Sequence, residues 1–205
     1  MSPRRVILPG AWSSMVAALI LVLLLAGCAG TPIDPKDESV SLVFGYFDMD
    51  DAPSNLQWVS LKRYGDPDPV WYGMAVRDGL IFHIGIAPGP YQVEKFGGTG
   101  GIPFLSSQRY EYNFGTRGRN DTAVRIQKPG IYFLGAYRFV NHSGGLFRAD
   151  KFEMKPIQQP SEKELLQRLI TVLESDSETK MYTRQIVLAK RRLADLGKNL
   201  PREGT

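Results

Sequence analysis

Between residues 40 and 157, apolar residues alternate with polar ones in short segments separated by turn-forming residues. Because successive side chains of a strand point to opposite faces, this two-residue period is typical of half-buried β-strands. The Asp78-Gly79 pair between two such segments predicts a tight hairpin turn. The pattern predicts about nine strands, at 40–49, 56–61, 70–76, 80–86, 91–96, 109–114, 122–127, 131–140 and 146–154.

After Pro160 the apolar residues recur at a helical spacing. Ser161 followed by Glu164 is a capping box that predicts the start of a first helix. A second helix is predicted to end near Gly197, because glycine is common just past a helix C-terminus. Its apolar stripe must pack on the sheet, on the first helix or on another protein, and we expect packing within the chain; its polar face is solvated, or contacts anionic lipid headgroups or an acidic partner. The basic residues of that face are Lys180, Arg184, Lys190, Arg191, Arg192 and Lys198.

Short strands with no helix between them indicate a mainly β fold. We predict an antiparallel β-sandwich over residues 40–157 and a C-terminal two-helix tail within 158–205. Two segments share the sequence Pro-Gly-x-Tyr, at residues 88–91 and 129–132. They resemble the turns of transthyretin-like and carboxypeptidase-regulatory-like β-sandwiches, and the resemblance covers residues 40–140. It implies a transthyretin- or Ig-like sandwich that serves as a binding or structural module and carries no shared catalytic residue.

The N-terminus has a basic pair, Arg4 and Arg5, then an apolar run over 15–27 that ends in Leu25-Ala26-Gly27-Cys28. This arrangement resembles the signal peptide and lipobox of bacterial lipoproteins. The resemblance implies a signal peptide over 1–27, cleavage between Gly27 and Cys28, and several acyl chains on Cys28 that bind membrane lipid. The alternative is an uncleaved membrane anchor, but the apolar run is shorter than the roughly 20 residues of a spanning helix.

The residues that follow the lipobox predict a tether and indicate which membrane holds the protein. Residues 28–39 are polar and contain two prolines, so we expect a lipidated N-terminus followed by a flexible tether. Ala29, rather than aspartate, follows Cys28. By the sorting rule of such lipoproteins in Gram-negative cells, this favours the outer membrane, on the side that faces the periplasm.

The chain has 25 Lys and Arg against 21 Asp and Glu, a net charge of +4. Since Arg4 and Arg5 precede the predicted cleavage site, the mature chain is nearly balanced, which gives no reason to expect a nucleic-acid partner. Cys28 is the only cysteine. Once it is acylated no disulfide is possible, so stability must come from the core.

Three groups of residues carry atoms that could bind a ligand or take part in catalysis. Asp48, Asp50 and Asp51 could supply calcium ligands, although aspartates also favour turns. His83 alternates with apolar neighbours and is expected on a surface or in a groove. The glycines of 97–101 could cradle an anion, but we predict a flexible loop, because neither the helix nor the lysine of a phosphate loop follows. We therefore predict no catalytic residue, no metal site and no cofactor.

The densest mixture of aromatic and basic residues lies between residues 109 and 125, where Tyr110, Tyr112, Arg117 and Arg119 are possible contacts for a ligand or partner. Aromatic rings stack on apolar surfaces and arginines bind anions. The simpler alternative is that the tyrosines are core residues on one strand face and the arginines belong to a turn.

The hypothesis we favour is a non-enzymatic, lipid-anchored protein of the cell envelope that binds a partner protein. The alternative is a module that binds carbohydrate or peptidoglycan through exposed aromatic residues within 71–114. A hydrolase that uses residues 48–51 or His83 is the third possibility.

Overall fold

The computed structural model describes residues 34, 37–65, 70–101, 107–114, 120–142 and 151–198. The predicted signal peptide and most of the predicted tether lie outside these residues. From Pro35 onward the chain belongs to one compact unit. None of the helices in the described part has the length and hydropathy of a membrane-spanning segment.

The mainly β prediction is confirmed, and each predicted strand overlaps an observed one. The strands of the described residues are β1 Ser41–Asp48, β2 Trp58–Arg63, β3 Trp71–Arg77, β4 Leu80–Ile86, β5 Gly89–Gly100, β6 Gln108–Asn113, β7 Val124–Ile126, β8 Ile131–His142 and β9 Lys151–Pro156. The predicted hairpin turn joins β3 to β4. Asp78 has a φ of 48° and Gly79 a φ of 77°, which is the left-handed backbone that a tight hairpin turn requires.

The antiparallel sandwich is not confirmed, because the strands form a single mixed sheet. Its order is β6-β5-β2-β3-β4-β1-β8-β9, and β7 also pairs with β5. β1 and β8 are parallel, whereas the other pairs are antiparallel. β3 pairs with β2 over residues 71–74 and with β4 over residues 75–77. A strand that changes partners along its length makes a corner, so the sheet continues around the core instead of ending there.

The sheet curls until its two ends meet and is therefore barrel-like. The pairing is staggered along the two long strands: β5 pairs with β2 over residues 91–97 and with β6 over 95–100, and β8 pairs with β1 over 131–138 and with β9 over 137–142. Tyr112 of β6 and Phe152 of β9 belong to opposite ends of the strand order, yet their ring centroids are 5.3 Å apart. The enclosed core is aromatic and aliphatic, and its fully buried members include Phe47, Leu61, Tyr91, Phe96 and Phe139.

Two helices, α1 Glu162–Ser175 and α2 Thr183–Lys198, cover the outer side of β1 and its neighbours. Leu42 and Phe44 of β1 pack in the helix cluster, while Val43 and Phe47 of the same strand pack in the barrel core. The capping box predicted at Ser161 is present. The buried residues of the two helices are Leu165, Leu166, Leu169, Ile170, Leu173, Gln185, Ile186 and Ala189.

The apolar stripe of α2 packs within the chain, as predicted, since Ile186 and Ala189 join the same cluster as the α1 leucines. Part of its basic face is neutralised by α1. Arg192 Nε lies 3.0 Å from Glu162 Oε1, and Lys190 Nζ lies 2.5 Å from Glu174 Oε1. These ion pairs reduce the positive charge that this face presents to solvent.

The glycine-rich loop predicted at 97–101 is wrong, because residues 97–100 continue strand β5 and pair with β6. The glycines are needed for a close backbone approach. A Cβ on Gly98 would lie 1.8 Å from the Asn55 carbonyl oxygen, and one on Gly100 would lie 2.0 Å from that of Pro53. The Asn55 N–H also donates to the Thr99 carbonyl oxygen at 3.2 Å. Glycine here allows two stretches of main chain to touch.

Candidate functional site

The outer surface of β2, β5, β6 and the first half of β3 lies outside the cluster that the helices form, whereas Ala75 in the second half of β3 packs against that cluster. We call this surface the tryptophan face. Trp58, Ser60 and Lys62 alternate along β2 with the buried Val59 and Leu61, so they share the outward side. The tryptophan face consists of Trp58, Ser60, Lys62, Trp71, Gly73, Glu94, Lys95, Arg109 and Glu111.

The strand register arranges these residues in rows. Trp58 is opposite Gly97 of β5, Ser60 is opposite Gly73 of β3, and Lys62 is opposite Trp71 of β3. The two tryptophans therefore stand at opposite ends of the face, about 13 Å apart along the strands at ~3.3 Å per residue. Between them lie the small residues Ser60 and Gly73.

Trp71 is held in one orientation although 51% of it is exposed. Its indole N–H donates to Glu94 Oε2. Lys62 Nζ lies 5.3 Å from the centroid of the indole ring and 2.7 Å from Glu94 Oε1, so it contributes both a cation–π contact and an ion pair. The three side chains form one cluster that fixes the ring.

A β-bulge brings Glu94 into this cluster. Ser60 is opposite Lys95 and Leu61 is opposite Val93, so β5 carries Glu94 as one extra residue. Bulges of this kind redirect a side chain. Burial raises the pKa of Glu94, but the hydrogen bonds from Lys62 and Trp71 outweigh it and hold that pKa below its usual value. Glu94 is thus a stable carboxylate at neutral pH.

Trp58 is fixed by a similar arrangement at the other end. Its ring lies across Gly97, where a Cβ would approach the indole Cζ2 to 2.8 Å. Lys95 Nζ lies 5.9 Å from the ring centroid and 3.5 Å from Glu111 Oε1. The face as a whole pairs Lys62 with Glu94 and Lys95 with Glu111, and Arg109 stands at its margin on β6.

The tyrosines predicted as ligand contacts lie on the opposite side of β6. Tyr112 packs on Phe96, Phe139 and Phe152 in the barrel core, with ring centroids 4.9–5.3 Å away. Tyr110 stacks on Tyr112 at 6.4 Å. Arg117, Arg119, Gly27 and Cys28 lie outside the described residues.

Asp48, the first aspartate of the segment 48–51, serves a structural role. Asp48 is 8% exposed, and its Oδ2 lies 2.8 Å from Arg138 Nε. Its Oδ1 accepts a hydrogen bond of 3.1 Å from the Asp50 main-chain N–H, which is the turn-forming bond that aspartate favours. Among the described residues, no cluster of three or more His, Cys, Asp or Glu side chains is arranged to hold a metal ion.

His83 is half-buried behind the tryptophan face. Its Nδ1 lies 2.9 Å from the Gly73 carbonyl oxygen, which can only accept, so Nδ1 carries the hydrogen. The ring meets that of Tyr72 at 5.2 Å. Burial lowers the pKa of His83 and outweighs the bond to Gly73, which raises it.

Because of this lowered pKa, we expect stability to depend on pH through His83. The unfolded chain takes up the proton more readily than the folded one, so the contribution is complete above the ordinary histidine pKa of about 6.5 and is lost as pH falls below it. The free energy of unfolding should decrease between pH 7.5 and pH 5.5, and His83→Gln should reduce this decrease. Urea unfolding of the parent and of His83→Gln at the two pH values measures the decrease in each protein. An unchanged pH dependence in the variant would contradict the assignment.

No family model, no curated protein and no solved structure matches this chain. Function is therefore inferred from the tryptophan face and the N-terminal sequence.

One feature of the sequence does indicate this face, although Trp58 was not among the predicted contact residues. Trp58 alternates in step with Ser60 and Lys62, so a large aromatic residue occupies the polar side of an amphipathic strand. The contacts of Trp71 had no such signal, because Lys62, Trp71 and Glu94 come from three strands and meet through a bulge.

Proposed function

We propose that this chain is a non-enzymatic binding module of the bacterial cell envelope, which is anchored by an acylated Cys28 and contacts its ligand through the tryptophan face. The observation that carries the proposal is the fixed and exposed ring of Trp71. Large exposed aromatic residues are the usual anchors of binding surfaces. A ring that neighbouring side chains already immobilise loses little entropy on binding.

Two further observations support a binding role over a catalytic one. The carboxylate of Asp48 is engaged by Arg138, and the Nδ1 atom of His83 is engaged by the main chain. The two Pro-Gly-x-Tyr turns resemble those of transthyretin-like sandwich modules, and the tyrosine of the first one, Tyr91, is fully buried. A curled sheet with a filled core is a rigid support for a surface site.

The anchor determines where the module works. Several acyl chains hold a protein on a membrane firmly, whereas a single chain does so only marginally. Ala29 favours the outer membrane, so the body would operate on the periplasmic side, within reach of other envelope proteins and the cell wall.

We expect the purified protein to begin at an acylated Cys28, whereas Cys28→Ala should retain residues 1–27 and incorporate no fatty acid. The reason is that the thiol is the group that receives the lipid. Intact-mass analysis and metabolic labelling with a palmitate analogue measure the two properties. Met181→Ala, on an exposed helix-linker residue, is the matched control and should be processed normally. A parent protein with a free thiol and residues 1–27 still attached would refute the anchor.

A further inference from the structure

We infer that the tryptophan face binds a neutral, β-linked glycan strand, with Trp58 and Trp71 stacking on two different sugars of that strand. The inference rests on the proposed function, because it assigns the ligand of the same face. It depends on the spacing of the two rings, the surface between them and the charge of their surroundings.

The spacing of the rings favours an extended polymer. Lys62 is opposite Trp71 and lies four residues after Trp58 on β2, so the backbone positions that carry the two rings are about 13 Å apart along the strands. A single sugar is much shorter than this distance. A β-linked strand of several sugars is a flat ribbon that presents apolar C–H faces, and such faces stack on indole rings.

The surface between the rings leaves room for such a ribbon. Its centre is formed by Ser60 and Gly73, two of the smallest residues. A Cβ added at Gly73 would meet no atom within 4 Å, so the space above this residue is open. Ser60, Lys62 and Glu94 supply donors and acceptors along the same path for sugar hydroxyls.

The charges of the face favour a neutral ligand. Lys62 is paired with Glu94 and Lys95 with Glu111, so among the described residues of this face both lysines are neutralised and Arg109 stands at the margin. Nucleic acids and anionic membranes are bound by accumulated positive charge, which these pairs cancel. A protein interface would have apolar side chains at its centre, where this face has Ser60 and Gly73.

The test is calorimetric titration of the full chain in detergent with chitohexaose and cellohexaose. We expect one or both hexasaccharides to bind and the corresponding disaccharides to bind much more weakly. Trp71→Ala should weaken binding about tenfold or more, the loss typical of an aromatic anchor. Gly73→Phe should weaken binding by a similar factor, because the new ring would occupy the centre of the face while both tryptophans remain.

Met181→Ala is the matched control, since Met181 is 55% exposed on another part of the molecule, and it should bind as the parent does. Thermal unfolding establishes that each variant is folded. If Trp71→Ala proves unstable, Gly73→Phe still tests the inference. Gly73 is exposed and has no left-handed φ, so this variant is expected to fold.

The inference fails if neither hexasaccharide binds, or if binding survives both Trp71→Ala and Gly73→Phe. Crosslinking in whole cells then shows whether only the glycan inference has failed or the proposed binding function has failed as well. Protein crosslinks that disappear in the same two variants would identify a protein ligand, which preserves the proposed function and overturns the glycan. If these variants change no crosslink and bind glycan like the parent, both proposals are wrong.

Discussion

Replacing Gly98 with alanine is expected to destabilise the fold by about 3 kcal/mol or more, the upper range for overpacking a closely packed site. The new Cβ would lie 1.8 Å from the Asn55 carbonyl oxygen, which belongs to the main chain and cannot rotate away. Either β5 or the segment at 53–57 must move, and the hydrogen bond from Asn55 N–H to the Thr99 carbonyl oxygen would be strained with it. Urea unfolding of parent and variant measures the loss.

Gly73→Ala is the matched control, because it is also a glycine-to-alanine change within the same sheet. Its Cβ would enter open space, and neither glycine has a left-handed φ. The control should be unchanged or stabilised by up to about 1 kcal/mol, since alanine restricts the unfolded chain. Equal unfolding midpoints for Gly98→Ala and the parent would mean that residues 53–57 do not lie against β5.

The same glycines show why one part of the fold was mispredicted. A run of glycines usually marks a loop, and the two-residue period cannot identify strand residues that lack side chains. Residues 97–100 are a strand because they pair with β6, and they are glycines because main chain from 53–57 lies against them; both contacts join distant parts of the sequence. By contrast, the turn at Asp78-Gly79 was predictable because its cause is local.

Local sequence patterns also could not predict that the sheet curls into a barrel-like form. Alternation locates the strands but does not determine which strands pair, and the parallel pairing of β1 with β8 joins residues far apart in the chain. One signal did exist, since β1 is almost continuously apolar. Such a run is typical of a strand buried on both faces, which a sandwich with one solvent-facing side does not provide.

The predicted and observed candidate sites differ for a related reason. Aromatic character and nearby arginines predict Tyr110 and Tyr112 as contacts, but alternation alone does not determine which side of β6 they occupy. The packing of Tyr112 against Phe139 and Phe152 settles its side. Trp71 gains its role from Lys62 and Glu94, and that cluster follows from register and from one bulge.

Leu169→Ala is expected to destabilise the whole compact unit by about 2–5 kcal/mol, the range for truncating a buried leucine. Leu169 is fully buried on α1, in one cluster with Leu42 and Phe44 of β1 and Leu80 and Phe82 of β4. If the helices were released, these strand residues would lose their cover on the outer side of the sheet. The helices should therefore unfold together with the barrel rather than as a separate tail.

Two probes distinguish these possibilities during urea unfolding of this variant. Fluorescence of Trp58 on β2 and of Trp71 at the start of β3 reports the sheet, and far-ultraviolet circular dichroism reports the helices. Cooperative unfolding requires both transitions to coincide and to shift together in Leu169→Ala. Val187→Ala, at a position of α2 that is 41% exposed, should change stability by no more than about 0.5 kcal/mol. A variant in which the helical signal is lost earlier while the tryptophan transition stays in place would show that the barrel is stable without its helices.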